Sequence, residues 1–181
     1  MRIITGIARG TKLDTLPGEE TRPTGEKAKE GIFSAIQFDL HDRKVLDLFA
    51  GSGQLSLEAL SRGAESAVMI DASRAACEII KQNAMRAKLM ERTRIACYDY
   101  KEYIRGAAGK QRFELVFLDP PYDSDMAEKA FDALERAEML ADDCIVVIET
   151  SADHVPEPKD GWQQKLYRYG VAHVCILRRG N

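Results

Sequence analysis

The chain has 181 residues, of which 45% are apolar and 30% charged, a balance typical of one globular domain with a buried core. No stretch approaches 18 uninterrupted apolar residues and the four cysteines are far apart, which excludes a transmembrane helix, a zinc ribbon and a disulfide-rich secreted scaffold. The net charge of −3 is unevenly distributed, because residues 1–13 and 162–181 carry bases and no acid, whereas residues 123–161 carry twelve acids and three bases.

The first 43 residues are predicted to form a small extension that does not fold alone. Short apolar runs separated by Gly6 and Gly10 predict a basic β-hairpin over residues 2–16, and Thr24 suits the N-cap of a following helix. A basic face is what a nucleic-acid enzyme needs, although a solvated surface is the alternative. The hairpin bases that we expect to contact RNA are Arg2, Arg9 and Lys12.

Residues 44–181 alternate apolar, β-rich runs with amphipathic stretches of helical spacing. The predicted strands cover residues 45–49, 67–71, 93–97, 113–118 and 144–148, followed by a final antiparallel pair at 166–169 and 171–177. Helices are predicted after the first strand, after Ser73 as a cap, and after Asp125, which with Glu128 has capping-box spacing. This alternation predicts an α/β doubly wound fold, a mostly parallel sheet with helices on both faces.

A glycine turn follows the first strand. Gly51 and Gly53 allow close approach of the backbone to a ligand, and the following helix offers free N–H groups. The third glycine of the dinucleotide fingerprint is absent, because position 56 is serine. Asp47 before the glycines suits a ligand with an ammonium group instead, although a plain strand-to-helix turn also explains this pattern.

Two further acids follow the next strands. Asp71 ends the second predicted strand, where a carboxylate accepts the hydroxyl groups of a ribose, or alternatively caps the helix that begins near Ser73. Asp99 follows the third strand, where it suits the edge of an adenine or simply begins a helix. Ligands of doubly wound sheets bind at these carboxyl ends of the strands.

The Asp119-Pro120-Pro121-Tyr122 segment follows the fourth strand and carries the most specific signal. Two consecutive prolines fix an extended turn, which presents the Asp119 carboxylate and the Pro120 carbonyl to one planar amine. Tyr122 offers a ring for stacking against a base. Two aligned acceptors stabilise the positive charge that develops on a nucleobase amine as it attacks an electrophile. A proline loop beside a buried tyrosine is the alternative.

These motifs, in this order, resemble the S-adenosylmethionine-dependent amino-methyltransferases with an Asp-Pro-Pro-Tyr motif. The further segments that precede and follow the glycine turn resemble one bacterial family, the RsmD-type guanine-N2 methyltransferases of 16S ribosomal RNA. Those segments are Arg2–Gly6, Thr21–Thr24, Lys29-Glu30, and the run from Leu57 to Ala64. The resemblance covers nearly the whole chain and implies a Rossmann-like methyltransferase fold with a seven-stranded sheet over residues 44–181.

The resemblance also implies roles for individual residues. It assigns the methionine part of S-adenosylmethionine to the segment 47–53, which contains Phe49, and it assigns the ribose to Asp71 and the adenine to Asp99. The Arg22-Pro23-Thr24 arm closes over the site, so that Arg22 and Thr24 also face the cofactor. Asp119, Pro120, Pro121 and Tyr122 receive the target guanine. An unstacked or flipped base is therefore expected as the substrate.

The sequence thus predicts a cytoplasmic, monomeric methyltransferase that acts on 16S rRNA or on a small-subunit particle. No metal is expected, because the three histidines form no ligand spacing with cysteine or carboxylate, and no membrane partner is expected. The alternatives are an adenine-N6 methyltransferase acting on DNA or RNA, which would use the same Asp-Pro-Pro-Tyr motif, and a catalytically silent RNA-binding subunit.

Overall fold

The computed structural model describes residues 1–17, 25–120, 125–150, 156–170 and 172–180. The helices are α1 (Gly25–Ala35), α2 (Gln54–Ser61), α3 (Arg74–Arg86), α4 (Tyr100–Ala107) and α5 (Met126–Arg136). The strands are β1 (Lys44–Asp47), β2 (Ser66–Asp71), β3 (Thr93–Cys97), β4 (Phe113–Leu118), β5 (Leu140–Thr150), β6 (Trp162–Tyr169) and β7 (Ala172–Arg179). No helix in these ranges is long and apolar enough to cross a bilayer.

The strands form one seven-stranded sheet in the order β3-β2-β1-β4-β5-β7-β6. Strands β1 to β5 are parallel to one another, and β7 pairs antiparallel with both β5 and β6. The predicted doubly wound fold with a terminal antiparallel pair is therefore confirmed. The strand order reverses between β1 and β4, and ligands of such sheets bind beyond the carboxyl ends of the strands at this point.

Two apolar layers cover the sheet. One layer packs α1, α2, α3 and residues 1–17, which we call the N-terminal segment, against alternate residues of the central strands. Phe117 and Val147 are among these strand residues. The other packs α4 and α5 against the intervening residues, among them Leu118 and Ile148. Because successive residues of a strand point to opposite faces, the residue that follows Leu118 or Ile148 returns to the face covered by α1.

The N-terminal segment is held by buried charge. The predicted hairpin is present in a short form: Arg2 and Lys12 form an antiparallel bridge, flanked by bonds from the Ile3 N–H to the Thr11 carbonyl and from the Leu13 N–H to the Met1 carbonyl, both at 2.9 Å. The buried Glu58 carboxylate of α2 accepts the backbone N–H groups of Ile4 and Thr5 at 2.8 and 3.0 Å. Lys29 of α1, also buried, lies 3.6 Å from the same carboxylate, and its own burial lowers the pKa of the lysine. Since Ile3 and Leu13 join the core layer of the sheet, the division at residue 43 stays a prediction.

A buried amide joins the N-terminal segment to the glycine turn. Asn83 of α3 is fully buried, and its Nδ2 donates to the carbonyl oxygens of Asp14 and Ser52, both at 2.9 Å. Its Oδ1 accepts from the Asp14 backbone N–H at 2.8 Å. One side chain thus connects three backbone groups, so α3 fixes the position of the N-terminal segment relative to the turn.

The predicted helix caps agree with the structure only in part. Ser73 caps α3 as expected, accepting from the N–H of Ala76 at 3.3 Å. The predicted capping box of α5 is wrong, because Asp125 makes no side-chain cap bond and pairs with Lys129 at 2.7 Å. Helix α4 was predicted only as the alternative role of Asp99, and the expected cap at residue 24 lies outside the described residues.

Candidate active site

A cavity of about 670 Å³ opens at the carboxyl ends of the parallel strands. Five carboxylates line it, one at or just beyond the carboxyl end of each parallel strand β3, β2, β1, β4 and β5: Asp99, Asp71, Asp47, Asp119 and Glu149. Lys29 and Ile32 of α1 border the same cavity, as do Met1 and residues 15–17 of the N-terminal segment. The cavity therefore lies where the strand order reverses, between the carboxyl ends of the strands and the N-terminal segment.

Asp47 presents an unsatisfied acceptor to the cavity. Its side chain is 1% exposed, and Oδ2 accepts from the Ser56 hydroxyl at 3.2 Å. Within the part of the chain that the structure describes, Oδ1 has no hydrogen-bond partner, and neither has the buried Oε1 of Gln54, which also lines the cavity. Burial raises the pKa of Asp47 to about 7, opposed by the Ser56 bond and by the nearby backbone N–H of Phe49, while the negative charge of Asp71 raises it further. A cationic donor in the cavity would satisfy this carboxylate and favour its ionised form.

The glycine turn brings backbone close to these acceptors. Gly51 and Gly53 both have positive φ angles, 56° and 78°, which L side chains rarely adopt. A Cβ at Gly53 would also lie 3.1 Å from the Met69 sulfur. Gly51 lines the cavity, whereas Gly53 begins α2 behind it. The sequence expectation of a tight turn is confirmed.

Asp71 is held rigidly by backbone donors. Its Oδ2 accepts the N–H of Gly51 at 2.9 Å, and its Oδ1 accepts the N–H of Ser73 at 2.8 Å. An ionised carboxylate has about four acceptor positions, so about two remain for a ligand. Ser73, not Asp71, caps α3, so the capping alternative for Asp71 is wrong.

Asp99 and two aromatic rings line the cavity beyond Asp71. Asp99 is the N-cap of α4 and accepts the N–H of Lys101 at 2.9 Å, so its helix-starting alternative is confirmed while it also borders the cavity. The rings of Phe49 and Tyr100 lie 5.2 Å apart at a tilt of 54°. These two rings offer flat apolar surface next to a carboxylate, which suits a purine.

Asp119, the first residue after β4, lines the cavity, and the next residue, Pro120, is buried. Their neighbours Pro121 and Tyr122, together with the predicted arm residues Arg22 and Thr24, lie outside the described residues. The arrangement of the complete Asp-Pro-Pro-Tyr motif therefore stays a prediction. The described half of the motif has its carboxylate on the same sheet face as Asp47.

The predicted RNA contacts lie on the N-terminal segment and not on the cavity wall. Arg2, Arg9 and Lys12 are all exposed. Arg2 lies 3.9 Å from Glu26, and the carbonyl of Lys12 accepts from Arg86. Their exposure is compatible with phosphate contacts, which nonetheless stay a prediction.

The cavity wall fits a ligand that carries an ammonium group, a ribose and a purine, because an unpaired buried carboxylate, a half-satisfied carboxylate and two rings follow one another along it. Among the described residues, no group of three or more histidine, cysteine or acidic side chains could hold a metal ion. The cofactor implied by the family resemblance therefore agrees with the residues that are present.

Sequence reasoning missed Glu149 and Tyr100. The rule that ligands bind at the carboxyl ends of parallel strands, here called the strand-end rule, identified Asp47, Asp71 and Asp119. It applies equally to the fifth strand, and it would have found Glu149. Tyr100 gave no signal, because α4 was predicted only as the alternative role of Asp99 and nothing placed this ring beside Phe49.

Comparison with known proteins gives consistent matches along the whole chain. The family model described as "Conserved hypothetical protein 95" matches residues 1–178. YlbH of Bacillus subtilis, named as an rRNA methyltransferase, is 33% identical over 99% of both chains. Ribosomal RNA small subunit methyltransferase D of Haemophilus influenzae is 32% identical over 90% of this chain and 84% of the relative. A solved Escherichia coli protein is 30% identical with a TM-score of 0.87, over 99% of this chain and 98% of the other.

Proposed function

Because the chain belongs to the Conserved hypothetical protein 95 family and is a methyltransferase, we propose that it uses S-adenosylmethionine to methylate the N2 amine of a guanine in 16S rRNA. The relatives named as small-subunit rRNA methyltransferases support the substrate class. The reaction would take place in the cytoplasm, on rRNA or on a small-subunit particle, and the enzyme would act as a monomer without a metal ion.

The observation that carries this proposal is the unpaired Oδ1 of Asp47, buried beside the glycine turn in the same cavity that Asp119 lines. A buried carboxylate oxygen without a donor is costly unless a ligand satisfies it. The ammonium group of a bound amino acid supplies such a donor. In this proposal Asp47 and the turn hold the methionine part, Asp71 accepts the ribose hydroxyls, and Asp99 with Phe49 and Tyr100 surrounds the adenine.

S-adenosylmethionine, when bound, supplies an electrophilic methyl group on its sulfonium. The chain itself has to orient a weak nucleophile, because the lone pair of guanine N2 is delocalised into the ring. The Asp119 carboxylate and the Pro120 carbonyl would each accept one N–H of this amine, which favours a more pyramidal nitrogen. As the bond from N2 to the methyl group forms and the methyl–sulfur bond breaks, the fixed carboxylate stabilises the positive charge on the nitrogen without reorganisation. The proton that the methylated amine then loses would pass to this carboxylate or to water.

The target base has to leave its stack before it can enter the cavity. Tyr122 would supply the stacking surface, Pro121 would fix the turn, and Arg22 with Thr24 would close over the cofactor. The exposed arginine and lysine side chains of the N-terminal segment would bind RNA phosphates near the cavity, since Met1 and residues 15–17 of that segment border it.

The test is methyl transfer from labelled S-adenosylmethionine to small-subunit particles and to naked 16S rRNA, both from cells that lack this enzyme. Nucleosides are then separated and weighed by mass spectrometry. The proposal expects label in N2-methylguanosine. Label in N6-methyladenosine would instead establish the adenine-N6 alternative, and absence of transfer to either substrate, with RNA binding retained, would establish the silent RNA-binding alternative.

A further inference from the structure

Glu149 is the penultimate residue of β5, and Asp119 directly follows the neighbouring strand β4. In the register of β4 and β5, Leu118 pairs with Ile148, so Asp119 and Glu149 are the next residues along two neighbouring parallel strands. Such strands lie about 4.8 Å apart. Phe117 and Val147 belong to the core layer on the α1 side, and the residues two positions later share that face. Both carboxylates therefore line the cavity side by side.

The Watson–Crick edge of guanine matches two adjacent carboxylates. The N2 amine and the N1–H group are neighbouring donors on this edge, so one carboxylate can accept from each. Adenine carries an acceptor lone pair at N1, which a carboxylate repels. A carboxylate beside Asp119 therefore distinguishes the two purines at the ring nitrogen next to the amine, where Asp119 alone accepts an exocyclic amine of either base.

We propose that Glu149 is a specificity-determining residue that accepts a hydrogen bond from N1–H of the target guanine while Asp119 holds the N2 amine. This inference rests on the proposed guanine-N2 activity and names the side chain that selects guanine over adenine. A site built to accept a substrate N–H rejects an analogue without it far more strongly than an apolar pocket rejects a change of shape.

The test uses Glu149→Gln, which keeps the side-chain shape and replaces one acceptor oxygen by a donor amide. The substrates are 16S rRNA molecules assembled by ligation with either guanine or 2-aminopurine at the target position, each used naked and in reconstituted small-subunit particles. 2-Aminopurine keeps the N2 amine but has an acceptor at N1. The measured quantity is kcat/KM for methyl transfer to N2 on each substrate.

We expect the wild-type protein to prefer guanine strongly. In Glu149→Gln, kcat/KM on guanine falls by roughly 10- to 100-fold, as for the removal of a hydrogen bond to a charged group, and kcat/KM on 2-aminopurine rises. The missing O6 of 2-aminopurine affects both proteins equally, so the change in the preference ratio isolates N1. Affinity for S-adenosylmethionine stays within about twofold, because Glu149 is two strands away from Asp47.

Asp142→Asn is the matched control. It removes one carboxylate from the same strand, but Asp142 is 95% exposed and lies about 23 Å from Glu149 along β5, so the preference ratio is expected to stay unchanged. If Glu149→Gln lowered kcat/KM equally on both substrates, or changed it on neither, the role of Glu149 would be refuted. The proposed guanine-N2 activity of the wild-type protein would stand in either case. A wild-type protein that never methylates guanine N2 would overturn the proposed function itself.

Discussion

Substitution of Asp47 by asparagine tests the buried carboxylate through the stability of the ligand-free protein. Burial raises the pKa of Asp47 from 3.8 to about 7, so the folded protein holds this proton more tightly than the unfolded chain. The stability that this proton contributes is fully present below about pH 4 and is lost as the pH rises through 7. Between pH 5 and pH 8 the loss amounts to about 2.5 kcal/mol.

Asparagine has no such titration. The free energy of unfolding of Asp47→Asn minus that of the wild type should therefore increase by about 2.5 kcal/mol from pH 5 to pH 8. Urea denaturation of both ligand-free proteins across this range measures the difference. Asp142→Asn, a change at an exposed carboxylate, should follow the wild type at every pH.

The same carboxylate should make cofactor binding dependent on pH. An ammonium group pairs with the ionised form only, so wild-type affinity for S-adenosylmethionine should fall roughly 20-fold from pH 7.5 to pH 5.5. Asp47→Asn should bind about 10- to 100-fold more weakly at pH 7.5 and show a much smaller dependence on pH. Calorimetric titrations that gave the same affinity and the same pH profile for both proteins, together with parallel stability curves, would refute the assignment of Asp47.

Three other substitutions separate cofactor, chemistry and RNA. Asp71→Ala should weaken S-adenosylmethionine binding by roughly 1.5–3 kcal/mol, the cost of removing a charge-assisted bond, and unchanged affinity in calorimetry would remove Asp71 from the site. Single-turnover transfer at saturating cofactor should slow from wild type to Asp119→Asn to Asp119→Ala, by about 10²–10³ in the last, and a normal rate in Asp119→Ala would exclude its catalytic role. Neutralising Arg2, Arg9 and Lys12 together should weaken RNA binding. The slope of log K against the logarithm of the salt concentration should become less steep by about 0.7–0.9 for each phosphate that the protein no longer neutralises, whereas an unaltered slope would show that these side chains are solvated surface.

The sequence predicted the sheet well because its strands carry continuous apolar runs that end in an acid or a glycine turn. Apart from the partly exposed Glu114, the Val45–Asp47 and Phe113–Leu118 runs are buried on both faces in the structure, as is typical of parallel strands. The strand-end rule then located Asp47, Asp71 and Asp119 without any knowledge of tertiary contacts. These features are local in sequence, and local patterns carry them.

Features that depend on distant partners were not predicted. The hairpin of the N-terminal segment stays short, and the backbone N–H groups of Ile4 and Thr5 bond to Glu58, more than fifty residues away. The capping box at Asp125 is a local exception, since its carboxylate makes no cap bond and pairs with Lys129 four residues later. The unpaired oxygen of Asp47 also needed coordinates, since a sequence shows an acid but not whether its hydrogen bonds are satisfied.

The three backbone hydrogen bonds of the buried Asn83 amide have a consequence for how the sequence of this protein can diverge in evolution. All three bonds of the amide go to backbone atoms, of Asp14 and Ser52, so the side chains at positions 14 and 52 are free to vary without disturbing them. Position 83 itself needs two donors and one acceptor at a fixed short reach, which among the natural amino acids asparagine supplies. We expect substitutions there to be purged as strictly as those of residues that touch the substrate, so that invariance at position 83 would record an architectural constraint and not a chemical one.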